Sequence, residues 1–280
     1  MARKKLNRAY TNLLWLVIPM AVFALFAKYL VTESPIEKYE DDTLSLKSGE
    51  PSKPVISEYN WHGEALVTFW FDDGWRSQYS EGFRILDNYG YKAALAVPIE
   101  PIGYEAYMNW HQIRKLHYLG WEIASHSRSH DCDLVYKGEP AFEYEIFGGK
   151  QDLENYGILT DIYVAPCGEN TPEATEYVKR HFLSQRIVEP GLNPLPVTDN
   201  YGLMVKQVSR DIDIEEIKGW INEAISKKQW IILMLHQIDD EDTEYGTTPD
   251  NLEQVVDFVN HSNISVVLPS QALGVERRNE

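Results

Sequence analysis

Short apolar segments alternate with amphipathic segments from about residue 65 to residue 268 of the 280-residue chain. The apolar segments are rich in β-branched and aromatic residues, which predicts strands. The amphipathic segments repeat apolar residues at helical spacing, and several end at a glycine, which predicts helices. Because strand and helix alternate, we expect parallel strands joined by crossover helices. About seven such units predict an α/β fold, namely a distorted or incomplete (β/α) barrel.

The alternation predicts the bounds of the individual strands and helices. The predicted strands are Val67–Phe71, Lys92–Ile99, Trp121–Ser125, Asp161–Ala165, Phe182–Val188, Leu203–Ser209, Trp230–Leu235 and Ile264–Leu268. The predicted helices are Ser77–Tyr89, Met108–Leu119, Pro140–Tyr156, Pro172–Arg180, Ile214–Ser226 and Pro249–Val259. The stretch 189–202 is rich in proline, glycine and asparagine, and is therefore predicted to be a loop.

The amino-terminal part differs in composition from the rest of the chain. Four basic residues within the first eight precede an apolar run at 13–27. A basic flank followed by an apolar run indicates a membrane anchor or a secretory signal, and the missing small-residue cleavage site favours an uncleaved single-pass anchor at 1–31. The positive flank predicts that the following part lies outside the cytoplasm. Residues 32–63 are polar and proline-containing, which predicts a stem, and the folded domain is expected at 64–280.

The formal net charge of the chain is −17. Such an acidic balance argues against binding nucleic acid or another polyanion through bulk electrostatics. It is compatible with a neutral or cationic polymer. The two cysteines, Cys132 and Cys167, are too few for a disulfide framework, and the sequence leaves open whether they bond to each other.

The stretch VTFWFDDGW, residues 67–75, ends a predicted strand on Asp72, Asp73 and Gly74. Carboxylates are costly to bury unless they are paired or bound to metal, and glycine permits a sharp turn. In parallel barrels, chemistry is located at the carboxyl ends of strands. The alternative is a strand followed by an ordinary Asp-Gly turn, and this stretch alone does not separate the two.

Polar residues also follow three other predicted strands. They are His126 and His130 in HSRSH, the tripeptide Pro166-Cys167-Gly168, and His236. Since the carboxyl ends of parallel strands meet on one face of a barrel, we expect these residues to lie near the two acids. Two histidines and a carboxylate can hold one divalent cation with positions left open for water, which is the coordination of a catalytic site.

This ordered set of motifs resembles that of the polysaccharide deacetylases, the NodB-homology group of carbohydrate esterase family 4. The resemblance covers about residues 65–273. The family's TFDDG motif appears as TFWFDDG, its H-(S/T)-x-x-H motif as HSRSH, its Arg-x-Pro-aromatic-Gly motif as YVAPCG, and its leucine-x-histidine strand end as LMLH. Arg210 lies where the family often has an arginine before its fourth motif.

The resemblance implies a role for each site residue. The implied ligands of a divalent metal, expected to be zinc, are Asp73, His126 and His130. Asp72 would be the general base, and His236 would protonate the departing amine. The backbone N–H of Cys167 would hold the oxyanion. The residues assigned to substrate binding are Trp75, as a ring that stacks on sugar, Pro166, Gly168 and Arg210.

Two positions depart from the family's pattern. Val164 lies where many members carry the arginine that orients the base, so the motif leaves the placement of Asp72 unexplained. Cys167 replaces the usual tyrosine or phenylalanine. A backbone donor does not depend on its side chain, so the implied oxyanion role is unaffected.

The expected activity is hydrolysis of N-acetyl groups on an extracellular amino-sugar polymer of the chitin, peptidoglycan or poly-N-acetylglucosamine type. An O-acetyl esterase acting on xylan at the same site is one alternative. An inactive, membrane-tethered glycan-binding protein is another. The complete set of two acids and three histidines favours an enzyme, because binding alone needs no base.

Overall fold

The computed structural model describes residues 61–241 and 243–275. The anchor predicted at 1–31 lies outside the described residues, as does the predicted stem up to residue 60. Among the residues that are described, none of the helices combines the length and the apolar character needed to span a membrane.

Eight parallel strands form a single sheet. They are β1 (Ala65–Phe71), β2 (Ala94–Val97), β3 (Glu122–Ser125), β4 (Ile162–Val164), β5 (Ser184–Pro190), β6 (Leu203–Gln207), β7 (Trp230–Leu235) and β8 (Ile264–Val266). Strands β2 to β7 are neighbours in chain order, and β1 pairs with both β7 and β2. The predicted (β/α) barrel is therefore confirmed, and seven strands close it.

The distortion of the barrel lies between β1 and β2. Only Trp70 and Phe71, at the carboxyl end of β1, pair with β2. The first half of β1 pairs instead with β8, through residues 65–67. The barrel is thus distorted but complete, and its closure lies at the end of β1 that leads into the two acids.

Helices follow the strands as predicted. They are α1 (Phe83–Asn88), α2 (Trp110–Tyr118), α3 (Glu139–Phe142), α4 (Gly148–Asn155), α5 (Pro172–Lys179), α6 (Ile214–Lys227), α7 (Pro249–Asn260) and α8 (Pro269–Leu273). A π-helical turn at Gln78–Gly82 precedes α1, and a second at Glu143–Phe147 interrupts the helix predicted at 140–156. The short α8 was not predicted.

Apolar side chains of β1 divide between two layers. Leu66 and Trp70 belong to a cluster in which inward-facing residues of several strands meet, whereas Val67, Phe69 and Phe71 pack against the helices. Fully burying one such side chain contributes about 1.5–3 kcal/mol relative to leaving it exposed. Because side chains alternate along a strand, the inward set at positions 66 and 70 continues to position 72. Packing of the strand thus directs the first of the two acids into the barrel.

Candidate active site

The polar residues at three strand ends meet around Asp73. Its Oδ1 lies 3.5 Å from His126 Nε2 and 3.3 Å from His130 Nε2, and its Oδ2 lies 4.0 Å from His236 Nε2. These residues follow β1, β3 and β7, whose carboxyl ends share one face of the barrel. The convergence expected from parallel pairing is therefore present.

Two of these residues, and the serine between the two histidines, have left-handed backbone conformations. Asp73 has φ 75°, Ser127 has φ 63° and His130 has φ 60°. Such conformations cost about 1–3 kcal/mol each for residues other than glycine, and they concentrate at functional sites. The Ser127 hydroxyl accepts the His130 N–H at 3.0 Å, which closes the turn between the two histidines.

The His126 ring is fixed by the neighbouring strand. Its Nδ1 lies 2.9 Å from the backbone carbonyl of Val164, which can only accept, so Nδ1 carries the proton. In the neutral ring, Nε2 then presents a lone pair to the carboxylate oxygen of Asp73. A proton on Nε2 or a metal ion between the two atoms satisfies both, and a metal-binding histidine characteristically donates the N–H of its other ring nitrogen in this way. The Val164 carbonyl supplies this support whatever its side chain is.

The electrostatics of the site favour an ionised carboxylate at Asp73 and lower the pKa of His130. Burial raises the pKa of the Asp73 carboxyl, but the hydrogen bond and charge of His126, and then the charges of His236 and His130, outweigh burial and hold the pKa well below its usual value. Burial lowers the pKa of His130, and repulsion from His126 lowers it further, although Asp73 partly opposes this. A neutral imidazole is the form that binds metal.

Asp73, His126 and His130 fit the predicted metal site. Their ligand atoms all lie within 4.8 Å of one another. Two imidazole nitrogens and one carboxylate oxygen suit zinc and similar divalent ions, and three protein ligands leave coordination positions open. The residues present are therefore able to hold the ion that the resemblance implies.

Asp72 forms a buried ion pair that the sequence motifs did not reveal. Its Oδ2 accepts a hydrogen bond from Arg186 on β5, and Arg186 is fully buried. Its Oδ1 is also buried and accepts no hydrogen bond from the described part of the chain. Removing one partner of a buried pair costs about 3–5 kcal/mol. An arginine inside a predicted barrel strand was the available signal, since arginine is rarely buried without a partner.

Gln78 joins the ends of β1 and β7. Its fully buried side-chain amide donates to the carbonyl of Asp72 and, at 3.1 Å, to the carbonyl of His236. The adjacent Ser77 hydroxyl accepts the Ile238 N–H at 3.0 Å. The π-helical turn that follows β1 thus ties the segment after β7 to the segment after β1.

Glu145 holds the loop that carries the two histidines. Its carboxylate accepts the N–H of Arg128 at 3.0 Å, the N–H of Ser129 at 2.9 Å and the Ser129 hydroxyl at 2.7 Å. A Cβ at Gly149 would lie 3.0 Å from the carbonyl carbon of Ser127, so glycine allows this close approach. The second π-helical turn and the start of α4 therefore fix the HSRSH loop.

Cys132 and Cys167 form a disulfide, which settles the pairing that the sequence left open. Cys132 lies two residues after His130, and Cys167 follows β4 with φ 54°. The bond therefore joins the loop that carries the implied metal ligand His130 to the loop that carries the implied oxyanion donor.

The residues assigned to substrate binding lie near the site but differ in their contacts. The Trp75 indole N–H donates to Asp73 Oδ2 at 3.0 Å, and its ring stacks on Tyr107 with centroids 4.4 Å apart. Arg210 donates to the carbonyls of Asp239, at 3.1 Å, and Glu241. The guanidinium of Arg210 thus supports the loop after His236. A direct contact between Arg210 and substrate stays a prediction.

Pro166 and Gly168 shape the turn after β4. Pro166 is buried, and Gly168 has φ 72°. A Cβ at position 168 would lie 2.1 Å from a methyl carbon of Val188, so only glycine fits without rearrangement. These two residues shape the loop around Cys167, and their contact with substrate also stays a prediction.

Part of the chain matches a family of known proteins. Residues 61–184 match the family model described as polysaccharide deacetylase. A search of curated protein sequences finds no match to the chain.

Several solved structures share the fold. The Bc1960 peptidoglycan N-acetylglucosamine deacetylase is 14% identical with a TM-score of 0.57, and the alignment covers 77% of this chain and 91% of that one. The Xyl-CE4 domain of a multidomain xylanase from the hindgut metagenome of Trinervitermes trinervoides is 17% identical with a TM-score of 0.53, covering 75% and 90%. A mutant of BA3943, a CE4 family pseudoenzyme with restored enzymatic activity, is 13% identical with a TM-score of 0.55, covering 80% and 73%.

Identities this low show a common fold and nothing finer. The family match extends over the strand that ends in the two acids and over the HSRSH loop. These motifs lie on a closed seven-stranded barrel, and residues 61–184 of the chain match the polysaccharide deacetylase family model.

Proposed function

We propose that the protein is a metal-dependent deacetylase that hydrolyses N-acetyl groups of an extracellular amino-sugar polymer. The observation that carries the proposal is the arrangement of Asp73, His126 and His130, with ligand atoms within 4.8 Å of one another, next to the separate carboxylate of Asp72. The match of residues 61–184 to the polysaccharide deacetylase family model supports a carbohydrate deacetylase. The proteins that share the fold include a peptidoglycan N-acetylglucosamine deacetylase and the Xyl-CE4 domain of a xylanase, so the test below compares N-acetylated glycans with acetylated xylan.

The proposed chemistry assigns a separate task to each residue. A divalent ion held by Asp73 and the two histidines, for which we propose zinc, would supply an activated water and polarise the acetyl carbonyl. Asp72 would accept the proton of the attacking water at Oδ1. The Cys167 N–H would stabilise the oxyanion, and His236 would protonate the amine as the C–N bond breaks. The products are acetate and a free amino sugar.

Acetate release tests this proposal. The purified full-length protein, loaded with zinc, is incubated with chitin oligomers, peptidoglycan and acetylated xylan, with and without a chelator. We expect release from the N-acetylated glycans, loss of release with chelator and recovery on adding zinc. Release from xylan alone would assign an O-acetyl esterase. Binding of chitin oligomers without acetate release from any of these glycans would contradict the enzyme and assign a binding protein.

We also propose a location outside the cytoplasm. The basic flank and apolar run at 1–31 support a single-pass anchor with the domain on the outer side of the membrane. In fractionated cells, we expect full-length protein in the membrane fraction, with its domain cleaved by protease added from outside. A soluble protein shortened at its amino terminus would show a removed signal peptide instead.

A further inference from the structure

We infer that Arg186 is a positioning residue for the general base, and that it supplies from β5 the guanidinium that Val164 does not supply from β4. Its hydrogen bond fixes one oxygen of Asp72 and leaves the other oxygen as the proton acceptor. The inference rests on the proposed function, because the role of Asp72 as the base is part of that proposal.

Arg186 and Val164 occupy equivalent places on adjacent strands. The register of β4 and β5 pairs Val164 with Arg186, and both side chains are fully buried. Partners in register on parallel strands project to the same side of the sheet. Val164 packs in one cluster with Met234, and the Arg186 guanidinium lies 2.9 Å from Met234 Sδ. A guanidinium from either strand therefore enters the same part of the barrel interior.

The guanidinium of Arg186 is held on more than one side. It lies over the Trp70 ring at 5.3 Å from the centroid, in addition to its contacts with Asp72 and Met234. Cations over an indole face are attracted to the ring. A planar, delocalised guanidinium fits such a site better than a lysine ammonium does. Arg186 is thus oriented before substrate binds.

The remaining contacts of Asp72 restrict it to one open direction. Its backbone N–H donates to Leu235 at 2.8 Å, and its carbonyl accepts from Gln78. Arg186 binds Oδ2, so Oδ1 is the acceptor that remains. A base held in this way meets its water in a defined orientation, and orientation is a large part of catalytic rate.

A purely structural role makes a different prediction. If Arg186 only neutralises a buried carboxylate, its loss lowers stability, and any cation at that place restores function. If Arg186 orients the base, its loss lowers kcat only while Asp72 is able to act as a base. The two roles are therefore separated by the swap of positions 164 and 186 and by the combination with Asp72→Asn.

The experiment measures kcat and KM on chitin oligomers, zinc content and the thermal midpoint of the zinc-loaded full-length protein. For Arg186→Met we expect kcat to fall by about 10²-fold, with KM changed little and zinc retained. The swap Val164→Arg/Arg186→Val should recover most of the lost kcat. In an Asp72→Asn background, Arg186→Met should lower kcat no further, because residues that act as a unit are not additive.

Two further variants keep the test decisive. Arg180→Met makes the same chemical change at an exposed guanidinium, which pairs with Glu139 at 2.7 Å, and should leave kcat unchanged. Arg186→Lys keeps the buried charge, so it tests the inference even if Arg186→Met does not fold. We expect its kcat to fall by at least about tenfold, since lysine lacks the planar fork.

Three results would overturn the inference in an active wild-type protein. They are a folded, zinc-loaded swap variant no faster than Arg186→Met, a further loss of kcat from Arg186→Met in the Asp72→Asn background, and wild-type kcat in Arg186→Lys. An inactive zinc-loaded wild type would instead overturn the proposed function, so the two failures are distinguishable.

Discussion

Replacing Asp72 with asparagine is expected to lower kcat by about 10³-fold while zinc stays bound, because a general base contributes about 10²- to 10⁴-fold. The amide has the shape of the carboxylate and its oxygen still accepts from Arg186, but it takes up no proton at neutral pH. The proposed metal ligands are unchanged. Steady-state kinetics on chitin oligomers and zinc content per chain measure the two effects separately.

The control for this variant is Asp257→Asn, on the exposed surface of α7. It makes the same chemical change away from the site and should keep wild-type kcat. A kcat of Asp72→Asn within tenfold of wild type would show that another group takes the proton, and the assignment of the base would then be wrong.

Replacing the adjacent acid, Asp73, with asparagine is expected to remove the metal. Its Oδ1 lies 3.3–3.5 Å from both imidazole nitrogens, so the variant retains only two of the three proposed ligands. Even residues that merely support metal ligands change affinity by about 10- to 100-fold, so loss of a ligand should weaken zinc binding by at least about 10²-fold. Activity should fall with it and return in part at high zinc concentration.

Zinc content after dialysis, followed by a zinc titration of activity, measures this effect. His261→Ala, an exposed histidine at the end of α7, is the matched control and should keep both zinc and activity. Stoichiometric zinc in dialysed Asp73→Asn would contradict the proposed ligand set. The two neighbouring acids should thus have different effects. Asp72→Asn should lower kcat with zinc still bound, whereas Asp73→Asn should weaken zinc binding.

The parts of the site that were predictable from sequence are those that follow from strand ends. Parallel pairing brings the residues after β1, β3 and β7 to one face whatever the details of packing. For this reason, the motifs alone predicted that Asp73 would meet the histidines. The alternation of strands and helices predicted the barrel for the same reason, because it depends on local pattern.

The contacts that could not be predicted join residues that are far apart in sequence and become neighbours only in the folded barrel. Asp72 and Arg186 are 114 residues apart, and their contact requires the register between β4 and β5. Gln78 and Glu145 act through the backbone of other segments, and no local motif marks such contacts. The insertion of β8 beside the first half of β1 likewise follows from barrel geometry.

The double hydrogen bond of Gln78 has a consequence for how this site could diversify. One buried amide spans the carbonyls of Asp72 and His236, so the proposed proton acceptor and donor form a single rigid frame. These contacts lie directly after β1 and β7, whereas the acidic segment at 239–241 lies further along the chain. We therefore expect that this segment can change in length and sequence to suit a different polymer while the distance between Asp72 and His236 stays the same.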